Sequence, residues 1–268
     1  MSKVQVMGIL NVTPDSFSDG GQFSGEQALR EQVEKMLAHG VDIIDIGGES
    51  TRPFAEPVPE QEELERVIPA IKAVRALSAA IPISIDTTKA RVVAVALEHG
   101  ATIINDISAL RQDPEMITVA RACDAPIIIM HMQGRPEDMQ VAPQYEDVVA
   151  EIKAFFQERT GWLEGQGIAR QRIILDPGIG FGKTLAHNLA ILRNVRAFKE
   201  LGYLVLIGHS RKSFMEKLLG TPVGERDCPT AIISALCAQQ GADILRVHDV
   251  AKTVAAVRLA EELGQGPV

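Results

Sequence analysis

Short apolar runs recur along the chain at intervals of about one strand plus one helix. The eight runs cover residues 4–10, 41–44, 81–85, 101–104, 125–130, 172–175, 203–207 and 242–245. Each leads into polar residues, which are Asn11, Asp45, Asp86, Asn105, His131, Asp176, the Ser210-Arg211-Lys212 turn and Arg246. Apolar runs of this length with polar or turn-forming boundaries are typical of buried strands. The pattern predicts eight strands with chemically capable side chains at their carboxyl ends.

Helical periodicity fills several of the intervals between these runs. It predicts helices over 26–39, 91–99, 189–201 and 231–240, each followed directly by a glycine: Gly40, Gly100, Gly202 and Gly241. Glycine just past a helix supplies the left-handed residue that turns the chain into the next strand. The repeated order of strand, helix and glycine predicts parallel strands covered by helices.

Two α/β folds share this local order, a closed (β/α)8 TIM barrel and an open doubly wound sheet. An open sheet gathers its ligand at one switch point, whereas here all eight strand ends carry polar groups. In a barrel the carboxyl ends of all strands meet on one face. We therefore predict a (β/α)8 TIM barrel, with 1–268 as a single domain close to the ~250 residues usual for this fold.

Composition narrows the possible partners. The formal net charge is −8 and the pI is about 5.3, so we expect no nucleic-acid partner, although a local cationic pocket is compatible with this balance. No apolar run approaches the ~18 residues of a membrane span, and we expect no membrane association. The cysteines, Cys123, Cys228 and Cys237, lack metal-ligand spacing. These features and the lack of a signal-peptide pattern predict a reduced, cytoplasmic protein.

Two long loops follow the first two strands. The stretch from Asn11 through Gly21 is rich in turn formers and is longer than a minimal loop, which is typical of a mobile lid or a substrate-binding loop; ordinary Asx and Ser turns at Asp15 and Ser16 are the alternative. The second loop has a pair of glycines that would let its backbone approach a ligand, followed by the hydroxyl of Thr51 and the planar cation of Arg52. Arg52 could alternatively pair with a surface carboxylate.

Asp86, Asn105 and Asp176 form the predicted centre of the site. Two carboxylates and an amide suit a ligand that presents a flat row of hydrogen-bond donors and acceptors. Asp86 could instead cap a helix, because Thr87-Thr88-Lys89 follows it. The glycine-rich stretch after Asp176 resembles a Walker A loop, but three residues separate Gly178 from Gly182 where that motif has four. A nucleoside triphosphatase is therefore disfavoured.

The last two strand ends supply cations. Lys212 could donate to a ring oxygen or nitrogen, and Ser213 falls at a predicted helix start, where an anion is favoured. Arg246 and His248 share one face by strand alternation and lack a nearby nucleophilic serine with its triad, which favours an anion site over a hydrolase. The alternative is a surface strand end where Asp249 neutralises both.

Eight motifs together resemble bacterial dihydropteroate synthases over nearly the whole chain. They are Asn11-Val-Thr-Pro-Asp-Ser-Phe-Ser-Asp-Gly-Gly, Asp45-Ile-Gly-Gly-Glu-Ser-Thr-Arg-Pro, Ser84-Ile-Asp-Thr, Ile104-Asn-Asp-Ile, Met130-His-Met-Gln-Gly, Asp176-Pro-Gly-Ile-Gly-Phe-Gly-Lys, Ser210-Arg-Lys-Ser and Arg246-Val-His-Asp-Val. The resemblance implies condensation of 6-hydroxymethyl-7,8-dihydropterin pyrophosphate with 4-aminobenzoate, which gives 7,8-dihydropteroate and pyrophosphate in folate synthesis. It also implies a target of sulfonamides.

The resemblance implies a role for each matched residue. The pterin set is Asp86, Asn105, Met130, Asp176, Phe181 and Lys212. The pyrophosphate set is Asn11, Arg246 and His248, with Asn11 also meeting Mg2+. Thr51, Arg52 and Ser213 match positions near the aminobenzoate, and Phe17 and Asp19 belong to the first loop that closes over it. Asp86, Asp176, Lys212, Arg246 and His248 would carry the catalysis.

The expected mechanism is dissociative, because carboxylates near the pterin can stabilise positive charge while cations stabilise the leaving pyrophosphate. Phe54 stands where the family usually has glycine, and we expect it to alter closure of the second loop and sulfonamide affinity.

The helix predicted near 230–240 is apolar nearly all round, and the resemblance implies a homodimer through it. The alternatives are a pterin-binding methyltransferase domain and a non-catalytic pterin-binding protein.

Overall fold

A closed barrel of parallel strands forms the centre of the protein. The computed structural model describes residues 3–13, 22–50, 57–134, 139 and 142–264. The strands are β1 (Gln5–Asn11), β2 (Ile43–Gly47), β3 (Ile83–Asp86), β4 (Ile103–Asp106), β5 (Ile127–Met130), β6 (Ile173–Asp176), β7 (Leu204–Ile207) and β8 (Ile244–Val247). They pair in sequence order, and β8 closes onto β1 with Gln5 beside Ile244. The predicted (β/α)8 barrel is confirmed, and the open sheet is excluded.

Helices cover the outside of the barrel. They are α1 (Gln22–Ala38), α2 (Glu60–Leu77), α3 (Ala90–Glu98), α4 (Met116–Arg121), α5 (Val148–Gly165), α6 (Leu185–Arg193), α7 (Val195–Lys199), α8 (Phe214–Leu219), α9 (Asp227–Gln239) and α10 (Val250–Gly264). The four glycines predicted to follow helices all have positive φ angles. Of the helices in the described residues, none is long and apolar enough to cross a membrane.

The single helix predicted over 189–201 is wrong, because the chain forms two helices there. Thr184 caps α6 through a capping box with His187, so this helix begins earlier than its apolar spacing indicates. Asn194 then leaves helical geometry with φ −123°, and its side chain donates 2.8 Å to the carbonyl of Ala190. The apolar positions continue through this break, which is why periodicity alone did not reveal it.

The barrel interior has an apolar layer, and the layer next to it, at the carboxyl ends of the strands, is polar. The buried cluster inside it consists of Met7, Ile43, Ile103, Ile128, Ile174, Leu206 and Ile244, one from each strand except β3. Strand β3 contributes the buried Ser84, which is in register with Ile103. Side chains two residues further along a strand lie on the same face. The apolar layer thus supports a ring of polar residues, which includes Asn105, Asp176 and Arg246, at the carboxyl ends.

Candidate active site at the barrel mouth

Gly47 lies at the first corner of the polar ring, between Asn11 and Asp86. Strand β2 extends to Gly47, so Asp45 lies inside the strand and not at its end as predicted. A Cβ atom on Gly47 would lie 3.7 Å from Asp86 Oδ2 and 3.8 Å from Asn11 Oδ1. Because glycine has no side chain, both oxygens border the space that a Cβ atom would occupy. Three strand ends that are far apart in sequence are therefore neighbours here.

Asp45, Asp86, Asn105 and Arg246 form one hydrogen-bonded network. Arg246 donates through Nε to Asp45 Oδ2 at 2.7 Å and through Nη2 to Asp86 Oδ2 at 2.6 Å. The Nδ2 of Asn105 lies 3.2 Å from Asp45 Oδ1. Asp45 therefore accepts hydrogen bonds from a guanidinium and from an amide NH2 group. The side-chain oxygen of Asn105 is the end of the amide that does not contact Asp45. We call this network the ionic side of the mouth.

Charge in the ionic side is unevenly balanced, since two carboxylates share one guanidinium. Burial raises the pKa of Asp86 to about 7; Arg246 opposes this shift, while Asp45 adds to it. Burial disfavours the charged form of Arg246, but Asp45 and Asp86 outweigh it and raise the pKa of the guanidinium. A cation or a hydrogen-bond donor that approached Asp86 would therefore meet a carboxyl group that changes its protonation state near pH 7.

The loop after β6 holds Asp176 by backbone groups. Asp176 is 7% exposed and its Oδ1 accepts the N–H of Gly178 at 2.8 Å. A Cβ on Gly178 would lie 2.0 Å from the carbonyl oxygen of His131, and the residue has φ +69°, so only glycine fits. Burial raises the pKa of Asp176, while the Gly178 N–H and Arg246 lower it. We call residues 176–183 the glycine-loop side of the mouth.

An apolar wall adjoins this loop. Met130 and Phe181 belong to a buried cluster with Ile107, Met132 and Met139. The ammonium of Lys212 lies 4.0 Å from the centre of the Phe181 ring, a cation–π contact. A flat ligand in the mouth would thus meet apolar surface beside a lysine and a carboxylate.

Lys183 is the last residue of the glycine-loop side and is 3% exposed. Its ammonium contacts the carbonyl oxygen of Phe181 at 2.8 Å, the carbonyl oxygen of His131 at 3.3 Å and the Nδ1 of His131 at 3.1 Å. Burial lowers the pKa of Lys183 to about 7. Burial, and after it the positive charge of Lys183, lowers the pKa of His131 to about 3, so the imidazole is neutral. The lysine ties the loop after β6 to the end of β5.

The turn after β7 presents Lys212 and Ser213. Arg211 has φ +55°, a conformation that costs energy in a non-glycine residue. Its guanidinium forms two hydrogen bonds with Asp227, of 2.6 and 2.8 Å, which hold the turn against α9. Ser213 is exposed and directly precedes α8, as predicted. His248 contacts Ser210 through Nδ1 at 2.9 Å.

Two structural alternatives raised by the sequence are wrong. Asp86 caps no helix, since Lys89 occupies the N-cap position of α3 and Asp86 binds Arg246. Asp249 neutralises neither Arg246 nor His248 by a direct contact; its carboxylate binds Lys252. Sequence reasoning left Asp45, Lys183 and Ser210 out of the predicted site. Asp45 has the same signal as Asp86, a carboxylate that ends an apolar run, but the glycines that soon follow it indicate a loop.

The structure brings together Asn11, Asp86, Asn105, Met130, Asp176, Phe181, Lys212, Ser213, Arg246 and His248 at the carboxyl ends of the strands. Five other residues named from the sequence lie outside the described residues: Phe17, Asp19, Thr51, Arg52 and Phe54. Among the described residues, no group of three or more His, Cys, Asp or Glu could hold a metal.

Comparison with known proteins gives consistent results. The model of a family described as pterin binding enzyme matches residues 7–248. Dihydropteroate synthase from Haemophilus influenzae is 49% identical over 94% of this chain and 91% of its own length. The Xanthomonas albilineans dihydropteroate synthase structure with 4-aminobenzoic acid has a TM-score of 0.93 at 43% identity, covering 99% of this chain and 95% of that one. The Yersinia pestis dihydropteroate synthase structure with a sulfonamide drug has a TM-score of 0.90 at 44% identity, covering 98% and 94%.

Proposed function

The chain belongs to the dihydropteroate synthase family of pterin-binding enzymes, and from this premise we propose how its residues carry out the family's transferase reaction in folate synthesis. The enzyme joins 6-hydroxymethyl-7,8-dihydropterin pyrophosphate to 4-aminobenzoate and releases pyrophosphate. The observation that carries the assignment of roles is the juxtaposition of the ionic side, with Asp86 and Arg246, and the glycine-loop side, with Asp176, across one mouth.

The pterin would lie between these two sides. Its ring N–H groups would donate to the carboxylates of Asp86 and Asp176, and the carbonyl oxygen of Asn105 would accept a further hydrogen bond. Lys212 would donate to a ring acceptor. Met130 and Phe181 already pack in one apolar cluster that could cover the ring. Burial disfavours the charged form of Asp176 and raises its pKa, so a ligand that donates hydrogen bonds to this carboxylate would stabilise it.

The leaving pyrophosphate would bind Arg246, His248 and Asn11. The bond between the pterin methylene carbon and the pyrophosphate oxygen breaks, and its electron pair leaves with pyrophosphate. Positive charge then grows on the pterin, and Asp86 and Asp176 stabilise it electrostatically. The amine of 4-aminobenzoate attacks the methylene carbon with its lone pair and afterwards loses a proton. A neutral amine needs no strong base for the attack.

We propose that Mg2+ binds together with the substrate. It is usually held by few protein oxygens and by substrate phosphates, and Asn11 Oδ1 at the Gly47 corner is an oxygen donor of the right kind. When bound, the ion would neutralise charge on the leaving pyrophosphate.

The aminobenzoate would lie towards Ser213 and the second loop, where we assign Thr51 and Arg52. Phe17 and Asp19 are assigned to the first loop that closes over it. Because sulfonamides are the drugs bound by the Yersinia relative, we expect them to compete with 4-aminobenzoate here. The effect of Phe54 on that competition stays a prediction, tested by sulfonamide inhibition of Phe54→Gly.

A homodimer in the cytoplasm is the proposed form of the enzyme. Large apolar side chains are exposed on α9, where Ile232 is 57% and Leu236 is 53% exposed, and on α10, where Leu259 is 61% exposed. The two helices pack against each other, and exposed apolar side chains on neighbouring helices are of the kind that a second copy covers. Sedimentation of the purified protein tests this state, and Leu236→Lys should shift it towards monomer.

A steady-state assay with both substrates tests the function. We expect pyrophosphate release that depends on 4-aminobenzoate and is strengthened by Mg2+. Asp176→Asn should reduce kcat by about 10²- to 10³-fold, because it removes charge that stabilises the transition state, with little change in thermal stability. A methyltransferase domain would release no pyrophosphate, and a binding protein would bind the pterin without turnover. A secondary isotope effect at the methylene typical of direct displacement would contradict the dissociative path.

A further inference from the structure

Ser210 and His248 form a hydrogen-bonded pair between two neighbouring strand ends. Ser210 follows β7 and is 5% exposed, and His248 follows β8, the parallel neighbour of β7. The backbone N–H of His248 donates to Ser210 Oγ at 3.1 Å. The same oxygen lies 2.9 Å from Nδ1 of the His248 ring. One hydroxyl therefore contacts both the main chain and the side chain of the residue assigned to pyrophosphate.

Burial, and after it the charge around the ring, keeps the imidazole of His248 neutral. Burial lowers the pKa of His248 to about 3. The neighbouring cations, which are Arg211, Arg246 and Lys212, lower it further, and Asp227 opposes them. A neutral imidazole carries one proton, on either Nδ1 or Nε2, and the nitrogen without it is an acceptor. The position of that proton decides whether the far edge of the ring attracts or repels an anion.

The hydrogen bonds of Ser210 decide between the two positions. A hydroxyl has one proton to donate and two lone pairs to accept with. One lone pair already receives the backbone N–H of His248, and within the described residues this hydroxyl contacts that N–H and the Nδ1 nitrogen. If Nδ1 carried the proton, the oxygen would receive two donors and its own proton would lack an acceptor among these contacts. With Nδ1 as the acceptor, every group has a partner.

We propose that Ser210 is a positioning residue that fixes His248 in the Nε2–H tautomer, so that a neutral imidazole donates a hydrogen bond to the pyrophosphate group. The inference deepens the proposed function and rests on it for the identity of the anion. A fixed donor needs no proton from solvent, and its strength does not change as the pH moves through neutrality. Arg246 supplies the charge at this site, and His248 supplies a directed N–H beside it.

Nuclear magnetic resonance of 15N-histidine-labelled enzyme tests the tautomer directly. At neutral pH, the His248 signals should show a protonated Nε2 and an unprotonated, hydrogen-bonded Nδ1; the spectrum of His248→Gln assigns them by their loss. Added inorganic pyrophosphate should shift the Nε2 proton. Ser210→Ala should produce a mixture of tautomers, and Ser210→Thr, which keeps the hydroxyl, should restore the single form.

Kinetics of the same variants provide the second readout. Ser210→Ala should raise KM for the pterin pyrophosphate by about tenfold, a loss of about 1.4 kcal/mol, and leave KM for 4-aminobenzoate within about twofold. Ser234→Ala is the matched control, because its buried hydroxyl contacts a different histidine, His209, through Nε2 at 3.1 Å and donates to the carbonyl oxygen of Thr230 in α9 at 2.9 Å. That variant should change thermal stability and neither KM value.

Two results would overturn the proposal. One is a wild-type His248 with its proton on Nδ1 or with both nitrogens protonated at neutral pH. The other is a Ser210→Ala enzyme, folded by circular dichroism, that keeps the wild-type tautomer and KM. Failure of the proposed function is distinguishable, since the wild type would then release no pyrophosphate from the pterin substrate, while the spectrum would still report the tautomer.

Discussion

The ionic side and the glycine-loop side of the mouth hold buried charge in different ways. On the ionic side, Arg246 is paired with two carboxylates, Asp45 and Asp86, at 2.6 to 2.7 Å. On the glycine-loop side, Asp176 is held by a backbone N–H, and Lys183 contacts two carbonyl oxygens and an imidazole. The ionic side therefore depends on opposite charges, and the other side depends on fixed backbone geometry.

This difference has consequences for substitution and for catalysis. Loss of one charge on the ionic side leaves its partners uncompensated, whereas a change of shape on the glycine-loop side displaces the backbone that holds the charge. A developing cation would find carboxylates on both sides, but only Asp176 lacks a direct ion pair among the contacts within the described residues. We expect Asp176 to respond more freely to charge on the pterin.

Removal of the shared cation should have the largest effect on stability. Arg246→Met should lower the free energy of unfolding by about 3–5 kcal/mol at neutral pH, because two buried carboxylates lose their counter-ion. Asp45→Asn is the comparison, and it should cost less because Asp86 still pairs with Arg246. Urea unfolding of both variants measures the difference. Equal losses would mean that the three groups do not share charge as described.

The deficit of Arg246→Met should also depend on pH. In the wild type, burial already raises the folded-state pKa of Asp86 to about 7, above its unfolded value near 3.8, and Arg246 opposes that rise. Without the guanidinium this pKa rises further, so the two folded proteins differ in bound protons only from about pH 7 upward, and the deficit of the variant grows as pH rises through this value. Unfolding at acidic pH should therefore bring variant and wild type together.

Substitution of a glycine tests the dependence on backbone shape. Gly178→Ala should cost at least about 3 kcal/mol, because its Cβ meets the carbonyl oxygen of His131 in addition to the ~1–2 kcal/mol of a positive φ. Gly220→Ala is the matched control: Gly220 has φ +70°, nearly the same as +69° at Gly178, and a Cβ there meets nothing within 4 Å. Similar losses of unfolding free energy in the two variants would show that the loop yields to the added methyl group.

Lys183 gives the smallest expected effect, which is a dependence of the free energy of unfolding on pH. The pKa of Lys183 falls from 10.5 to about 7 on folding, so between these values the unfolded state binds the proton and the folded state does not. Stability from this group therefore rises with pH from about 7 to 10.5, by about 1–3 kcal/mol. Unfolding of wild type and Lys183→Met at several pH values measures it; parallel curves would contradict the shift.

The sequence predicted most of the architecture from local rules. Apolar runs located all eight strands, and glycines after helices marked the turns, as at Gly40 and Gly241 with φ +77° and +94°. The prediction failed where local signals were ambiguous. The break at Asn194 interrupts no apolar spacing, and the end of β2 at Gly47 is a glycine, a residue typical of loops. Boundaries of this kind depend on capping and strand pairing, which periodicity does not record.

By itself, the sequence determined the periodicity, the fold class and the set of polar groups that converge on one face, because these follow from alternation, helix spacing and the order of the elements. The tertiary structure decided which of those groups touch. Asp45 and Arg246 are 201 positions apart, and Ser210 and His248 are 38 apart. Such contacts exist only once the barrel closes, since closure and strand register bring the ends of β2 and β8, or β7 and β8, within hydrogen-bonding distance.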